Sequence, residues 1–150
     1  ITEFIDTPDN IVASRICPST DKEIKKFMKS RCGFNHMTVM FKKTDVLRAG
    51  NYQDWHFNED YYLWLRMMQH GCKFRNLEDV LVNVRVGKDM YARRGGWKYF
   101  KSEYFLQKYM WQQHIIGLFI FLYNVTGRFV VEVMMTNCLR AWIFQNLLRK

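Results

Sequence analysis

Cysteine is sparse and unpaired in this sequence: Cys17, Cys32, Cys72 and Cys138 show no CxxC spacing and no cysteine–histidine cluster at zinc-ligand intervals. That argues against a structural metal site and against a secreted disulfide scaffold, and leaves the cysteines as small buried hydrophobes of a reducing compartment. Long apolar runs are missing too. The stretch 115–123 is almost wholly apolar, but His114, Asn124 and Arg128 bracket it well short of the ~20 residues that cross a bilayer. No secretory signal, internal repeat or low-complexity tract is visible. Acidic residues are the scarcer charge, 14 against 23 Lys and Arg, so the net charge is +9 with a pI near 9.5. Such a chain attracts an anion: nucleic acid, a nucleotide diphosphate or an acidic membrane surface. The basic residues are spread over the whole chain without a reader motif, which removes nucleic acid from that set.

Apolar material is plentiful. With 150 residues, 49% hydrophobic and 17% aromatic, the chain can bury one modest core, and disorder is excluded. The chain opens Ile-Thr-Glu, and residues 1–5 look like the tail of an element already under way, so a piece of a longer protein is expected.

Thr20-Asp21-Lys22-Glu23 is a capping-box pattern, followed by Ile24, Phe27 and Met28 on one face of a basic surface helix. The apolar, β-branched run 36–41, bounded by Gly33 and Lys42-Lys43, predicts a buried strand. Residues 44–49 form a short helical turn closed by Gly50. Further on, 73–76 read as a brief extended piece. Val80, Val82, Val84 and Val86 then alternate with other residues up to Gly87, the period of a strand with one buried face. Residues 87–96 hold glycines with Lys88, Arg93 and Arg94, the composition of a mobile loop able to close over a ligand. From Trp97 the chain turns helical. Arg128, Glu132, Thr136 and Arg140 recur every fourth residue opposite Val131, Met134, Met135, Leu139, Trp142 and Ile143, an amphipathic helix rather than a span. Two partners for that helix stay open, an anionic membrane surface and a protein surface.

Between these elements lies Asn58-Glu59-Asp60-Tyr61-Tyr62-Leu63-Trp64-Leu65-Arg66. Asn58 is placed to cap a helix that Gly71 ends, with Leu63, Trp64, Met67 and Met68 repeating at helical spacing. Glu59 and Asp60 then occupy the first turn, where the helix dipole favours an ionised carboxylate by roughly 0.3–1 kcal/mol. An ionised carboxylate can take a proton. Acidic residues are also ordinary in helix first turns, so the pair alone does not decide between chemistry and helix-end electrostatics. Successive positions diverge by about 100°, so the two side chains cannot serve one acceptor equally.

The blocks H-M-T-V-M-F-K-K at 36–43, G-N-Y at 50–52, E-D-Y-Y-L-W-L-R at 59–66, Gly71, and R-V-G at 85–87 followed by R-R-G-G at 93–96 occur in a telling order. In that order residues 1–101 resemble the C-terminal half of bacterial family 2 glycosyltransferases, inverting GT-A enzymes of the kind that build capsular, exopolysaccharide and O-antigen chains. The resemblance implies an α/β fold: the later strands of a GT-A, Rossmann-like mixed sheet flanked by helices, over residues 1–96, with a helical extension over 97–150. It implies that Asp60 is the general base acting on the acceptor hydroxyl, with Glu59 in support. It implies that Arg93 and Arg94 fold over the donor diphosphate, a task suited to bidentate guanidinium groups. His36, Trp55 with His56, and Arg85 become candidate substrate contacts, each with a structural alternative, Arg85 as a strand-end ion pair. Trp64 belongs to the core.

The resemblance also implies a nucleotide-sugar donor, a saccharide or lipid-linked acceptor, and a divalent cation, Mg²⁺ or Mn²⁺, held by a D-x-D motif. No D-x-D occurs here; Asp6 and Asp9 have the wrong spacing. The chain alone is therefore expected to bind donor weakly, to be silent in catalysis, and to self-associate through uncovered sheet edge and apolar surface. The expected setting is the cytoplasm, with attachment to the inner face of the plasma membrane left open. The rival reading is a nonenzymatic membrane-docking or protein-interaction module.

Overall fold

The computed structural model describes residues 1–87, 95–136 and 139. Among them the chain is mixed α/β, a three-stranded sheet with five α-helices. Strand β1 (Thr2–Phe4) is central, antiparallel to β2 (Ile11–Ser14) and parallel to β3 (Asn83–Arg85). The parallel pairing puts Glu3 opposite Val84 and Phe4 opposite Arg85, so the segment that opens the chain and one eighty residues on share a ladder. β1 offers only three residues for pairing. Val80 and Val82 therefore stay exposed, and the expected strand shrinks to Asn83–Arg85.

Helix α1 (Asp21–Phe27) begins at the capping box expected from sequence: the Thr20 hydroxyl accepts from the Glu23 amide, and the Glu23 carboxylate accepts from Thr20. Its inner face sinks Ile24 and Met28 completely. The run 36–41 is not a strand. His36–Thr38 is a 3-10 turn, Val39 to Phe41 are irregular, and Met40 is 99% exposed. The run pairs with no strand; Val39 packs against the core and Phe41 against the Trp64 ring instead. Residues 73–76 likewise form no strand; the Phe74 amide donates to Asp21 and the Asn76 side chain to Pro18 and Gly33 carbonyls. Helix α2 (Lys43–Arg48) closes at Gly50, whose φ of +83° suits glycine.

Helix α3 (Glu59–Gln69) is the centre of the core. Leu63 and Leu65 are fully buried and Trp64 nearly so, against Ile24, Met28, Leu106 and Met110. Each such side chain contributes roughly 1.5–3 kcal/mol of burial. The Tyr61 hydroxyl donates to the Met28 carbonyl at 2.5 Å, tying α3 to α1. Helices α4 (Trp97–Gln112) and α5 (Leu118–Phe129) close the other side. Asn124 on α5 donates to the Gln107 side chain on α4 and to the Lys29 carbonyl, both at 2.9 Å.

Of the stripe at 128, 132, 136 and 140, Arg128 and Glu132 turn inward while Thr136 is exposed. Arg128 pairs with Glu103 at 2.6 Å and donates to the Ser30 carbonyl, and Glu132 is buried. What faces out is the apolar side of α5, with Phe119 88% and Tyr123 81% exposed. The helix ends in a π-helical turn, Val130–Met134, after which Met135 is extended. Arg140, Trp142 and Ile143 lie outside the described residues. No described helix is long and apolar enough to cross a membrane.

Candidate functional site

Asp60 sits in the first turn of α3, where the chain enters the core. Asn58 does not cap this helix with its side chain; it is buried, and its amide donates to Ser102 Oγ on α4 at 3.3 Å. Tertiary packing has taken the capping group for a bridge between helices. One oxygen of Asp60 accepts from the Tyr61 amide at 2.6 Å, leaving the other directed at His36, whose Nδ1 lies 3.9 Å away.

His36 is held from its other side. Its Nε2 shares a 2.9 Å hydrogen bond with the Tyr52 hydroxyl, and the two rings stack at 5.6 Å. Trp64, one turn beyond Asp60, presents its ring to the same imidazole at 6.2 Å. Tyr52 was not singled out as a site residue, although it stands in the G-N-Y block; in the structure Gly50 and Asn51 before it both take positive φ. The Asp60 side chain is 22% exposed. Burial lifts its carboxyl above the ordinary carboxylate value, opposed by the Tyr61 amide and by His36, and assisted by Glu59. Burial likewise raises the Tyr52 phenol, with Asp60 and then Glu59 adding to it, and pushes the Cys32 thiol up to about 12 with Asp60 as the next contributor. The result is a partly sheltered carboxylate beside an imidazole and two aromatic rings.

The other candidates are distributed. Trp55 and His56 line a groove of about 670 Å³ against α4; the Trp55 indole donates to the Ser102 carbonyl, and Ser102 Oγ donates to the His56 carbonyl. Arg85 makes no strand-end ion pair among the described residues; its guanidinium lies 5.7 Å over the Phe4 ring, on the sheet. Arg93 and Arg94 lie outside the described residues. A wider cleft of about 1340 Å³ is lined by Asn35, Thr38 and Trp64, the neighbours of His36 and Asp60, though not by those two side chains themselves. Among the described residues no three His, Cys, Asp or Glu side chains converge to hold a metal ion. The described residues therefore do not fit the implied cation.

Comparison with known sequences decides the kinship. Over all 150 residues the chain is 40% identical to an uncharacterised glycosyltransferase of Haemophilus influenzae. The chain is related to the bacterial glycosyltransferases. It is also 34% identical over its full length to a UDP-Gal:alpha-D-GlcNAc-diphosphoundecaprenol beta-1,3-galactosyltransferase of Escherichia coli. Over 86 residues, 57% of the chain and 32% of the relative, it is 48% identical to the amylovoran biosynthesis glycosyltransferase AmsE of Erwinia amylovora. The chain spans about half the length of the two full-length matches, 55% and 54%, aligning with their C-terminal part. No family model matches, and no solved structure matches.

Proposed function

We propose that the chain is the acceptor-side part of an inverting, family 2 glycosyltransferase of the GT-A fold, with Asp60 as its general base. The observation that carries this reading is the Asp60–His36–Tyr52 cluster: a partly exposed carboxylate of raised proton affinity in the first turn of α3, backed by a hydrogen-bonded imidazole. The base takes the proton of an acceptor sugar hydroxyl as its oxygen attacks the anomeric carbon of a nucleotide sugar. The bond from that carbon to the nucleotide diphosphate breaks on the opposite face, so the configuration inverts. Glu59 supports the base, and Arg93 and Arg94 close on the departing diphosphate. By analogy with the Escherichia coli relative, the acceptor is a lipid-linked saccharide, met at the cytoplasmic face of the membrane.

The test is Asp60→Asn in the complete protein. Transfer should fall by about 10²–10⁴, the usual worth of general base catalysis, with donor affinity unchanged. Undiminished transfer by that variant removes Asp60 from the mechanism.

A further inference from the structure

Helices α3 and α4 lie side by side and run in the same direction: Asn58 meets Ser102 at 3.3 Å, and Gln69 meets Gln113 at 3.2 Å. The N-terminal half of α4 therefore stands level with the turn that carries Glu59 and Asp60. On its outer face Lys98, Lys101, Phe105 and Lys108 follow at intervals of three, four and three, one helical stripe covering about 15 Å. These residues form one side of the groove of about 670 Å³, and Trp55 and Tyr109 line it too.

The aromatic side is rigid. The Trp55 ring lies 4.4 Å and the Tyr109 ring 4.9 Å from Tyr62, while the Trp55 indole donates to Ser102 and the Tyr109 hydroxyl donates to Gln69 at 2.6 Å. The basic side has no paired counter-charge among the described residues. No carboxylate lines the groove, and none of the three lysines is in an ion pair among the described residues; Lys101 lies only over the Phe105 ring. Three uncompensated ammonium groups facing a fixed aromatic wall suit a ligand that joins a ring to a polyanion.

We infer that this groove holds the diphosphate of a sugar-diphosphate acceptor on Lys98, Lys101 and Lys108, with the sugar ring beside Trp55. The identity of the ligand as acceptor rests on the glycosyltransferase reading; the affinity of the groove for diphosphate does not.

The experiment is lysine acetylation footprinting of the complete protein by mass spectrometry. The probes are inorganic pyrophosphate, a GlcNAc-diphosphate carrying a short alkyl chain, and phosphatidylglycerol vesicles. Lys98 and Lys101 should be protected by the sugar diphosphate, more weakly by pyrophosphate, and not by vesicles. Replacing all three lysines by Gln should raise the acceptor KM at least about tenfold with the donor KM unchanged, and Arg at the same positions should restore it. Lysines left reactive by both diphosphate probes, or protected by vesicles alone, overturn the inference, the second outcome marking a membrane contact instead. Asp60→Asn separates the two readings. If that variant transfers sugar at full rate while protection persists, the base assignment fails and the groove stands.

Discussion

The Oδ2 atom of Asp60 lies 3.9 Å from Nδ1 of His36, and the opposite nitrogen of the same ring is fixed by Tyr52. Burial raises the proton affinity of the carboxylate, and the Tyr61 amide and then His36 draw it down. Removing the imidazole by His36→Ala should push the Asp60 carboxyl further up, so the acidic limb of kcat/KM against pH moves to higher pH. A limb that stays in place would show that Asp60 does not set it.

The same carboxyl has a stability signature. Its folded-state value lies above the ordinary 3.8, so the fold favours the neutral form. That contribution is fully present below the unfolded value and is lost as pH rises through the raised folded one. Asp60→Asn keeps the shape and cannot ionise, so it should melt above the parent at neutral pH, the gap closing as pH falls toward 3.8. Thermal melts across this window check it, and a gap that widens in acid refutes it.

Arg66 is the buried charge that fastens α2 to α3. Only 7% exposed, it donates to the Ala49 carbonyl at 2.6 Å and the Asn51 carbonyl at 2.7 Å, and lies 4.4 Å over the Tyr62 ring. Arg66→Ala strands those carbonyls and is expected to cost about 2–4 kcal/mol in urea unfolding, with Lys recovering only part. Gly50→Ala should destabilise through the same contact, since a Cβ there would stand 3.1 Å from the guanidinium at φ +83°.

Glu103 and Arg128 lock α4 to α5 at 2.6 Å, largely out of solvent. Either single replacement, Glu103→Leu or Arg128→Met, leaves a buried charge without its 2.6 Å partner and should cost about 3–5 kcal/mol. The double variant should lose less than the sum, read from a double-mutant cycle, because neither member of the pair is then left buried without the other. Additive losses would mean the pair is not coupled.

Local chemistry made several elements legible in advance. The capping box at Thr20 and Glu23, the glycine stops at Gly50 and Gly71, and the helical spacing of Leu63, Trp64 and Met67 each act within a few residues, and all reappear in the fold. Long-range competition defeated the rest. The run 36–41 has a strand's composition but no strand beside it, and Asn58 has a cap's chemistry but a better partner in Ser102, 44 residues away. The spacing of Arg128 and Glu132 was read correctly and their direction was not, because periodicity fixes which residues share a face and leaves open which way the face turns.

Kinship with glycosyltransferases, the carboxylate pair at a helix start and the positive charge are properties of residue order. Packing is what puts Tyr52 and His36 behind Asp60 and makes the lysine face of α4 one side of a groove with Trp55. Those relations join residues 16 to about 50 positions apart, and such distances close only when a shared core draws α1, α3 and α4 together.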